Sequence, residues 1–299
     1  MCLGTDVAWR LIGKLTLLLV PFVSACSGVY FVPDRHLVRT PASVGLDYRT
    51  LAVVTGDGVV LDGWFLPGQD PVKGTVLFLH GNAQNISYHL GSVAWLPKHH
   101  FNVYLYDYRG FGGSGGHSDI DNAVADVETV IGELADSLGR ERKRKRIVIF
   151  GQSLGGAIAI AATANHHGDA AICGLVVDSA FSGFREIGRE KLAELTLIRP
   201  AATLLSHLLP AKPDLLEDVA TVSPIPLLLI HGEEDRIVPP SHSEALFAAA
   251  REPKALWIEP GVGHIMALSH ESLRDRLLRF LDEAFSDCGA TAIRDRSGQ

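Results

Sequence analysis

Cysteine is scarce in this chain, four residues in 299, and methionine scarcer still, with two. Cys2, Cys26, Cys173 and Cys288 fall into none of the paired spacings that hold a metal, and no His-rich cluster takes their place, so no metal site is expected. An excess of basic residues is also missing. Lys and Arg number 27 against 34 Asp and Glu, a formal net charge of −7, which argues against nucleic acid as a partner. The one basic run, Arg140 to Arg146, is interrupted only by Glu141 and is read as a solvated loop. The Gly-rich fingerprint of a dinucleotide site is absent, and no cofactor is expected. No internal repeat or low-complexity tract breaks the chain, and the length suits one large domain. The apolar stretch Leu15 to Val23 falls short of the roughly 20 residues that span a bilayer.

That stretch has another reading. Arg10 and Lys14 make a basic start, Leu15 to Val23 a short apolar core and Ser24-Ala25 a small-residue site, so residues 1–25 read as a targeting segment. Val23-Ser24-Ala25-Cys26 resembles a bacterial lipobox. The resemblance implies cleavage before Cys26, a lipid on its thiol and a chain tethered to a membrane outside the cytoplasm; an ordinary secretory or periplasmic product is the alternative. Residues 26–45 then form a linker, 46–286 the folded body and 287–299 a polar tail. Cys173 lies in an apolar strand and Cys288 in the tail, so no disulfide is expected between them.

The body is organised around Gly151-Gln152-Ser153-Leu154-Gly155. These residues sit between an apolar run, Ile147 to Phe150, and an Ala-rich segment, Ala157 to Ala164, which reads as buried strand, tight turn and buried helix. A serine on such a turn presents its hydroxyl above a sheet, and the flanking glycines let strand and helix backbones pass closely. A serine hydroxyl is a weak nucleophile at neutral pH. It needs a histidine to take its proton and a carboxylate to orient that histidine.

Both are present downstream. The strand Ile225 to Ile230 runs into His231-Gly232-Glu233-Glu234-Asp235-Arg236-Ile237-Val238-Pro239, and the strand Ala255 to Glu259 into Pro260-Gly261-Val262-Gly263-His264. Each loop follows a strand, at the edge where open parallel sheets bind ligands. G-x-S-x-G, H-G-x-x-D-x-x-V-P and the Gly-rich loop ending Gly261-Val262-Gly263-His264, in that order, resemble the α/β-hydrolase superfamily. His80-Gly81-Asn82-Ala83 and Asp107-Tyr108-Arg109-Gly110-Phe111-Gly112-Gly113-Ser114 extend the resemblance toward small H-G-N-A-type hydrolases described as serine aminopeptidase-like. It covers roughly Leu51 to Phe285.

The resemblance implies an α/β-hydrolase fold: a mostly parallel central sheet with helices on both faces and a small helical cap insert at about 180–222. It implies Ser153 as nucleophile, His264 as base and Asp235 as acid, with Glu233, Glu234 and Asp178 as rival acids. Backbone N–H groups of Leu154 and Asn82 would hold the oxyanion, with Ala83 as fallback for Asn82. Asn85 reads as an N-cap, His80 as a loop residue and Arg109 as scaffold. His36, His99, His100, His166, His167 and His207 have no catalytic setting. Thr50 to Val54 and Val59 to Phe65 flank Gly56-Asp57-Gly58 as an antiparallel hairpin. In the cap, Leu192, Leu195, Leu197, Ile198, Leu204, Leu205, Leu208 and Leu209 read as two helices broken near Pro200. Most should pack on the body, and a minority should line an acyl pocket. The run Ile265-Met266-Ala267-Leu268 departs from relatives with polar residues there and predicts an apolar wall beside His264. The expected activity is hydrolysis of a small-molecule or lipid-like ester or thioester through an acyl-enzyme. A peptidase, an acyltransferase or a catalytically silent membrane-tethered binding module are the alternatives. Oligomeric state is not legible.

Overall fold

The computed structural model describes residues 30–137, 146–166 and 171–297. The targeting segment, Cys26 and most of the basic run therefore lie outside the described residues.

Ten strands are present among the described residues: β1 Arg49–Thr50, β2 Val53–Val54, β3 Val60–Leu61, β4 Gly63–Leu66, β5 Gly74–Leu79, β6 Phe101–Tyr106, β7 Arg146–Gln152, β8 Ala171–Asp178, β9 Leu227–Gly232 and β10 Lys254–Glu259. The α-helices are α1 Ile86–His89, α2 Ile120–Ser137, α3 Leu154–Asn165, α4 Phe184–Glu194, α5 Ala202–Ser206, α6 Leu215–Thr221, α7 Ser241–Ala249 and α8 Glu271–Ser297. Eight strands form one sheet in the order β1-β4-β6-β5-β7-β8-β9-β10. From β6 to β10 every pairing is parallel, while β4 and β1 pair antiparallel at one edge. The expected hairpin is β2 against β3.

Side-chain alternation divides the core. Leu77, Leu79, Ile147, Ile149, Leu175 and Val177 join one cluster with α2, α3, α6 and α7; Val76, Phe78, Val148, Phe150 and Val176 join the other with α1 and α8. Strands buried on both faces read as continuous apolar runs, because a parallel sheet needs helices on either side. The fold is the α/β-hydrolase sheet that the motifs implied.

Four findings differ from the sequence reading. The expected linker is instead a strap docked over the loops that follow β5 and β6. Tyr30 Oη donates to the Phe184 carbonyl at 2.7 Å, Val32 N–H to Asn82 Oδ1 at 2.9 Å, and Asn85 Nδ2 to the carbonyls of Asp34 and His36. The polar tail is helix through Ser297. Cys173 and Cys288 are joined in a disulfide, with their Cα atoms 5.2 Å apart, correcting the expectation of none. The reason is periodic: Leu277, Leu281, Ala284 and Cys288 follow one another at four, three and four residues, a single stripe of α8 that lies on β8.

The fourth difference is in the cap. Leu209 is buried, but Leu195, Leu197, Leu204 and Leu208 neither pack on the body nor line a pocket; all four face solvent, Leu197 at 97% exposure.

Candidate active site

The loops after β5, β7, β8, β9 and β10 converge on the C-terminal edge of the parallel strands. Strand β7 ends at Gln152, and Ser153 turns the chain into α3 with φ 53° and ψ −117°. A Cβ at Gly155 would strike the Leu79 and His80 carbonyls, and one at Gly151 would strike Gly155, so the crossing of strand and helix admits only glycine at both places. Ser153 belongs to a strained set. Among the described non-glycine residues with positive φ are Ala83, Gln84, Ser153, Ser179 and Ile265, all in these loops. Such conformations cost roughly 1–3 kcal/mol each and persist where surrounding structure holds them.

Leu154 is the first residue of α3 and has no intrahelical acceptor for its N–H. Asn82 and Ala83 can be told apart. Ala83 N–H is already taken by Asn82 Oδ1 at 2.7 Å, the same oxygen that receives Val32 N–H. Asn82 lines the cavity beside Ser153 and Leu154. Asn85 caps α1 through its side chain, which accepts from Ser87 N–H.

His264 Nδ1 lies 2.6 Å from Asp235 Oδ2. The other carboxylate oxygen of Asp235 accepts from the N–H groups of Ile237 and Val238, at 2.8 and 2.9 Å. His231 approaches Asp235 Oδ2 to 3.2 Å through Nε2, which also donates to the Val238 carbonyl, while its Nδ1 accepts from Ser243 Oγ. Burial works to raise the Asp235 pKa, but hydrogen bonds from His231, His264 and Val238 outweigh it and hold the carboxyl well below the ordinary range. Asp235 is thus ionised, with Oδ2 aimed at Nδ1 of His264. Glu233 and Glu234 are exposed and make no such contact.

Asp178 has a different task. Its carbonyl accepts from Ser153 N–H at 2.8 Å, and its carboxylate receives Gln152 Nε2 and Ser179 Oγ. Ser179 Oγ in turn accepts from Ile265 N–H at 3.1 Å. One corner therefore fixes both the Ser153 turn and the loop carrying His264. Among the described residues no hydrogen bond joins Ser153 Oγ to His264, a contact that commonly tightens only when substrate is bound. Of the apolar run after His264, Ala267 and Leu268 enter the core and Met266 faces solvent beside the site.

His80 is fully buried, its Nδ1 donating to the Gly81 carbonyl and its ring 4.3 Å from that of Tyr108. Burial drives its pKa down to about 3, so it is a neutral structural residue of the loop. Arg109 is scaffold as expected, bonded to both Asp57 and Asp126.

Two histidines had no signal in the sequence. His89 is buried, with its Cε1 next to Gly81, and burial lowers its pKa. It backs the loop after β5 from α1. His242, in α7, accepts at Nδ1 from Ser182 N–H at 3.1 Å and from Ser182 Oγ at 2.8 Å, and donates from Nε2 to Glu190 at 3.1 Å. It ties the root of the cap and helix α4 to the body. His242→Ala is expected to leave a buried N–H without a partner, lowering stability by about 2 kcal/mol in urea titration. It should also raise KM several-fold while changing kcat little, because α4 supplies a wall of the cavity.

That cavity, of about 240 Å³, opens over Ser153 and is lined mainly by Tyr30, Phe181, Ile187, Ile237 and Val238, with Lys191 at its side. Its apolar wall comes from the strap, the root of the cap and the Asp235 loop.

Residues 70–212 match the family model described as "Serine aminopeptidase, S33". The chain is 34% identical over 284 residues to YfhR of Escherichia coli K12, covering 90% of each chain. A solved esterase of Pyrococcus furiosus, Pf2001, shares the fold with a TM-score of 0.69 at 24% identity, covering 85% of this chain and 99% of the other. The chain is also 30% identical over 230 residues to the alpha/beta hydrolase domain-containing protein WAV2 of Arabidopsis thaliana, covering 74% of this chain and 73% of that one. With that identity spread across most of both proteins, and the sheet built as described, this chain belongs to the α/β-hydrolase superfamily.

Proposed function

We propose that this chain is a serine hydrolase that cleaves a carboxylic ester or thioester through an acyl-enzyme. The observation that carries the reading is the 2.6 Å contact between an ionised, buried Asp235 and Nδ1 of His264, at the sheet edge that holds Ser153 on its strained turn. Asp235 keeps the proton on Nδ1, which leaves Nε2 free to accept one. Ser153 Oγ attacks the carbonyl carbon as its proton passes to His264 Nε2. The oxyanion that forms receives the Leu154 and Asn82 N–H groups, each donor contributing about 3 kcal/mol to the transition state. His264 then returns the proton to the departing alcohol or thiol. Water, deprotonated by the same nitrogen, releases the acid and restores the serine.

The family model's description offers a peptidase as a second reading. The cavity favours the ester. An aminopeptidase must hold a substrate ammonium, which calls for a carboxylate in the pocket, whereas the lining residues carry one cation, Lys191, and no acidic group. The remainder of the pocket suits an apolar acyl chain.

The reading includes export and attachment to a membrane through a lipid on Cys26. The lipobox-like Val23-Ser24-Ala25-Cys26 supports it, and so does the Cys173–Cys288 disulfide, a bond that persists in oxidising compartments.

The test is hydrolysis of p-nitrophenyl esters from acetate to palmitate, with fluorophosphonate labelling followed by peptide mapping. The expected result is an optimum near butyrate to octanoate and a single adduct on Ser153. Folded protein that neither turns over any ester nor takes the label would sink the reading in favour of a silent binding module. Labelling without ester turnover would direct the search to amides or acyl acceptors.

A further inference from the structure

The strap and the cap share a feature that hydrolysis of a soluble ester does not require. The first described residue, Tyr30, is a wall of the cavity, packed edge-on against Phe184 with ring centroids 5.2 Å apart and bonded to that residue's carbonyl. Tyr30 lies four residues beyond Cys26 and seven beyond the apolar stretch that ends at Val23. An extended chain covers at most about 3.5 Å per residue. Whatever holds Cys26 at a bilayer therefore holds the mouth of the cavity within about 14 Å of it.

Apolar side chains are exposed on the strap, the cap and the loops beside that mouth. Val32, whose N–H is bonded to the cavity residue Asn82, is 53% exposed, and Ile237 and Met266 are exposed to a similar degree. On the cap, Leu204 and Leu208 point outward from the turns that bury Ala202, Ser206 and Leu209, and Leu197 stands free of the body. Leu209 is seated where it and Tyr30 Oη would both meet a Cβ on Gly188, so this part of the cap adjoins the strap and the cavity. Arg35 and Arg39 on the strap and Arg199 on the cap, on the same segments of chain as Val32 and Leu197, are exposed. Isolated exposed leucines are ordinary on soluble proteins, but a rim of them around one opening marks a contact surface. Apolar side chains that enter the acyl boundary, with arginines at headgroup level, suit an anionic lipid surface.

We propose that the rim formed by Val32, Leu197, Leu204, Leu208, Ile237 and Met266 docks on the membrane that holds the N-terminus, so that the cavity faces the bilayer and receives membrane-resident esters. The docking rests on the attachment through Cys26 proposed above together with the strap and the rim; the substrate rests on the hydrolase reading. A four-residue tether and an apolar rim on the same face act together. The tether keeps the mouth near the surface, and the rim turns it toward the lipid.

The test uses the full chain reconstituted in phosphatidylcholine–phosphatidylglycerol vesicles, in a Ser153→Ala background so that docking is read without turnover. Single Leu197→Trp and Leu204→Trp variants are compared with Arg251→Trp, which lies before β10 at the opposite edge of the sheet. Lipids brominated in the upper acyl chain are expected to quench the added fluorescence at 197 and 204 by roughly twofold and to leave that at 251 unchanged, as a shallow interfacial contact requires. Equal quenching at all three positions, or none at 197 and 204, overturns the docking. So does a dimer in sedimentation that shields both positions, since a second copy would then be the occupant.

A second arm reads the substrate. With Ser153 intact, the double variant Leu197→Asp/Leu204→Asp should lose at least tenfold in hydrolysis of dioctanoylglycerol held in vesicles and keep its rate on soluble p-nitrophenyl butyrate. Quenching at 197 and 204 without turnover of either ester by the parent protein would leave the docking standing and remove the hydrolase reading. An equal rate of the double variant and the parent on the vesicle ester would remove the membrane-resident substrate.

Discussion

Ser153→Ala is expected to lower kcat by about six orders of magnitude, with KM unchanged within a few-fold, and Asp235→Asn by about four. The two figures differ for a structural reason. Without Ser153 no acyl-enzyme forms, and what remains is carbonyl polarisation by Leu154 and Asn82. With asparagine at 235, Ser153 and the N–H groups of Leu154 and Asn82 stay in place. Asparagine can keep an oxygen toward the N–H groups of Ile237 and Val238, which holds the loop. Its amide nitrogen then faces His264 and pushes the imidazole toward the tautomer with the proton on Nε2, where it cannot accept from serine. Steady-state rates on p-nitrophenyl butyrate for both variants check this ordering. Equal losses in the two variants would mean that Asp235 does more than orient His264. An Asp235→Asn rate near wild type would return the role of acid to Asp178, which the structure occupies instead with Gln152 and Ser179.

The site loops were legible in the sequence because their chemistry requires particular residues at fixed distances from strand ends. Gly151, Ser153 and Gly155 announce a turn that only those side chains fit, and His231 to Pro239 announces a carboxylate held by the amides of Ile237 and Val238. The sheet was legible because doubly buried strands leave continuous apolar runs. His89 and His242 were not, since each is placed by tertiary packing and has no neighbouring pattern. The cap leucines misled for a related reason. An apolar residue at helical spacing shows that one face of a helix is sticky but not what covers it, and here the covering element is neither the body nor the pocket. The strap was hidden because Pro33 and Pro41 look like linker punctuation, while the bonds that dock it run through Asn82, Asn85 and Ser87, polar residues with plain local roles.

The disulfide leads to the second large effect. Cys173 and Cys288 close a loop with a sequence separation of 115 residues, which contains the cap, α7, β9, β10 and both the Asp235 and His264 loops. Cross-linking a loop of that length removes chain entropy from the unfolded state worth about 5 kcal/mol in the loop-closure model. Folded domains are stable by about 5–15 kcal/mol, so a third or more of the margin can rest on this one bond. The Cys173→Ala/Cys288→Ala variant, or the wild type in excess dithiothreitol, is expected to unfold at a markedly lower urea concentration with its triad geometry intact while folded. The loss should be smaller for the reduced wild type measured immediately than after overnight incubation, because Cys173 is buried beneath α8 and Cys288 is only partly exposed, which slows attack on the bond. An unchanged midpoint after complete reduction would show that packing of Leu277, Leu281, Ala284 and Phe285, with the Lys73–Asp282 and Arg276–Glu259 pairs, holds α8 without the bond, and would remove the disulfide from the case for an oxidising compartment. A large loss would instead tie the enzyme's working stability to export. Reduced inside the cytoplasm, the same chain would have to hold its last helix, and the two loops that carry Asp235 and His264, on packing without the staple.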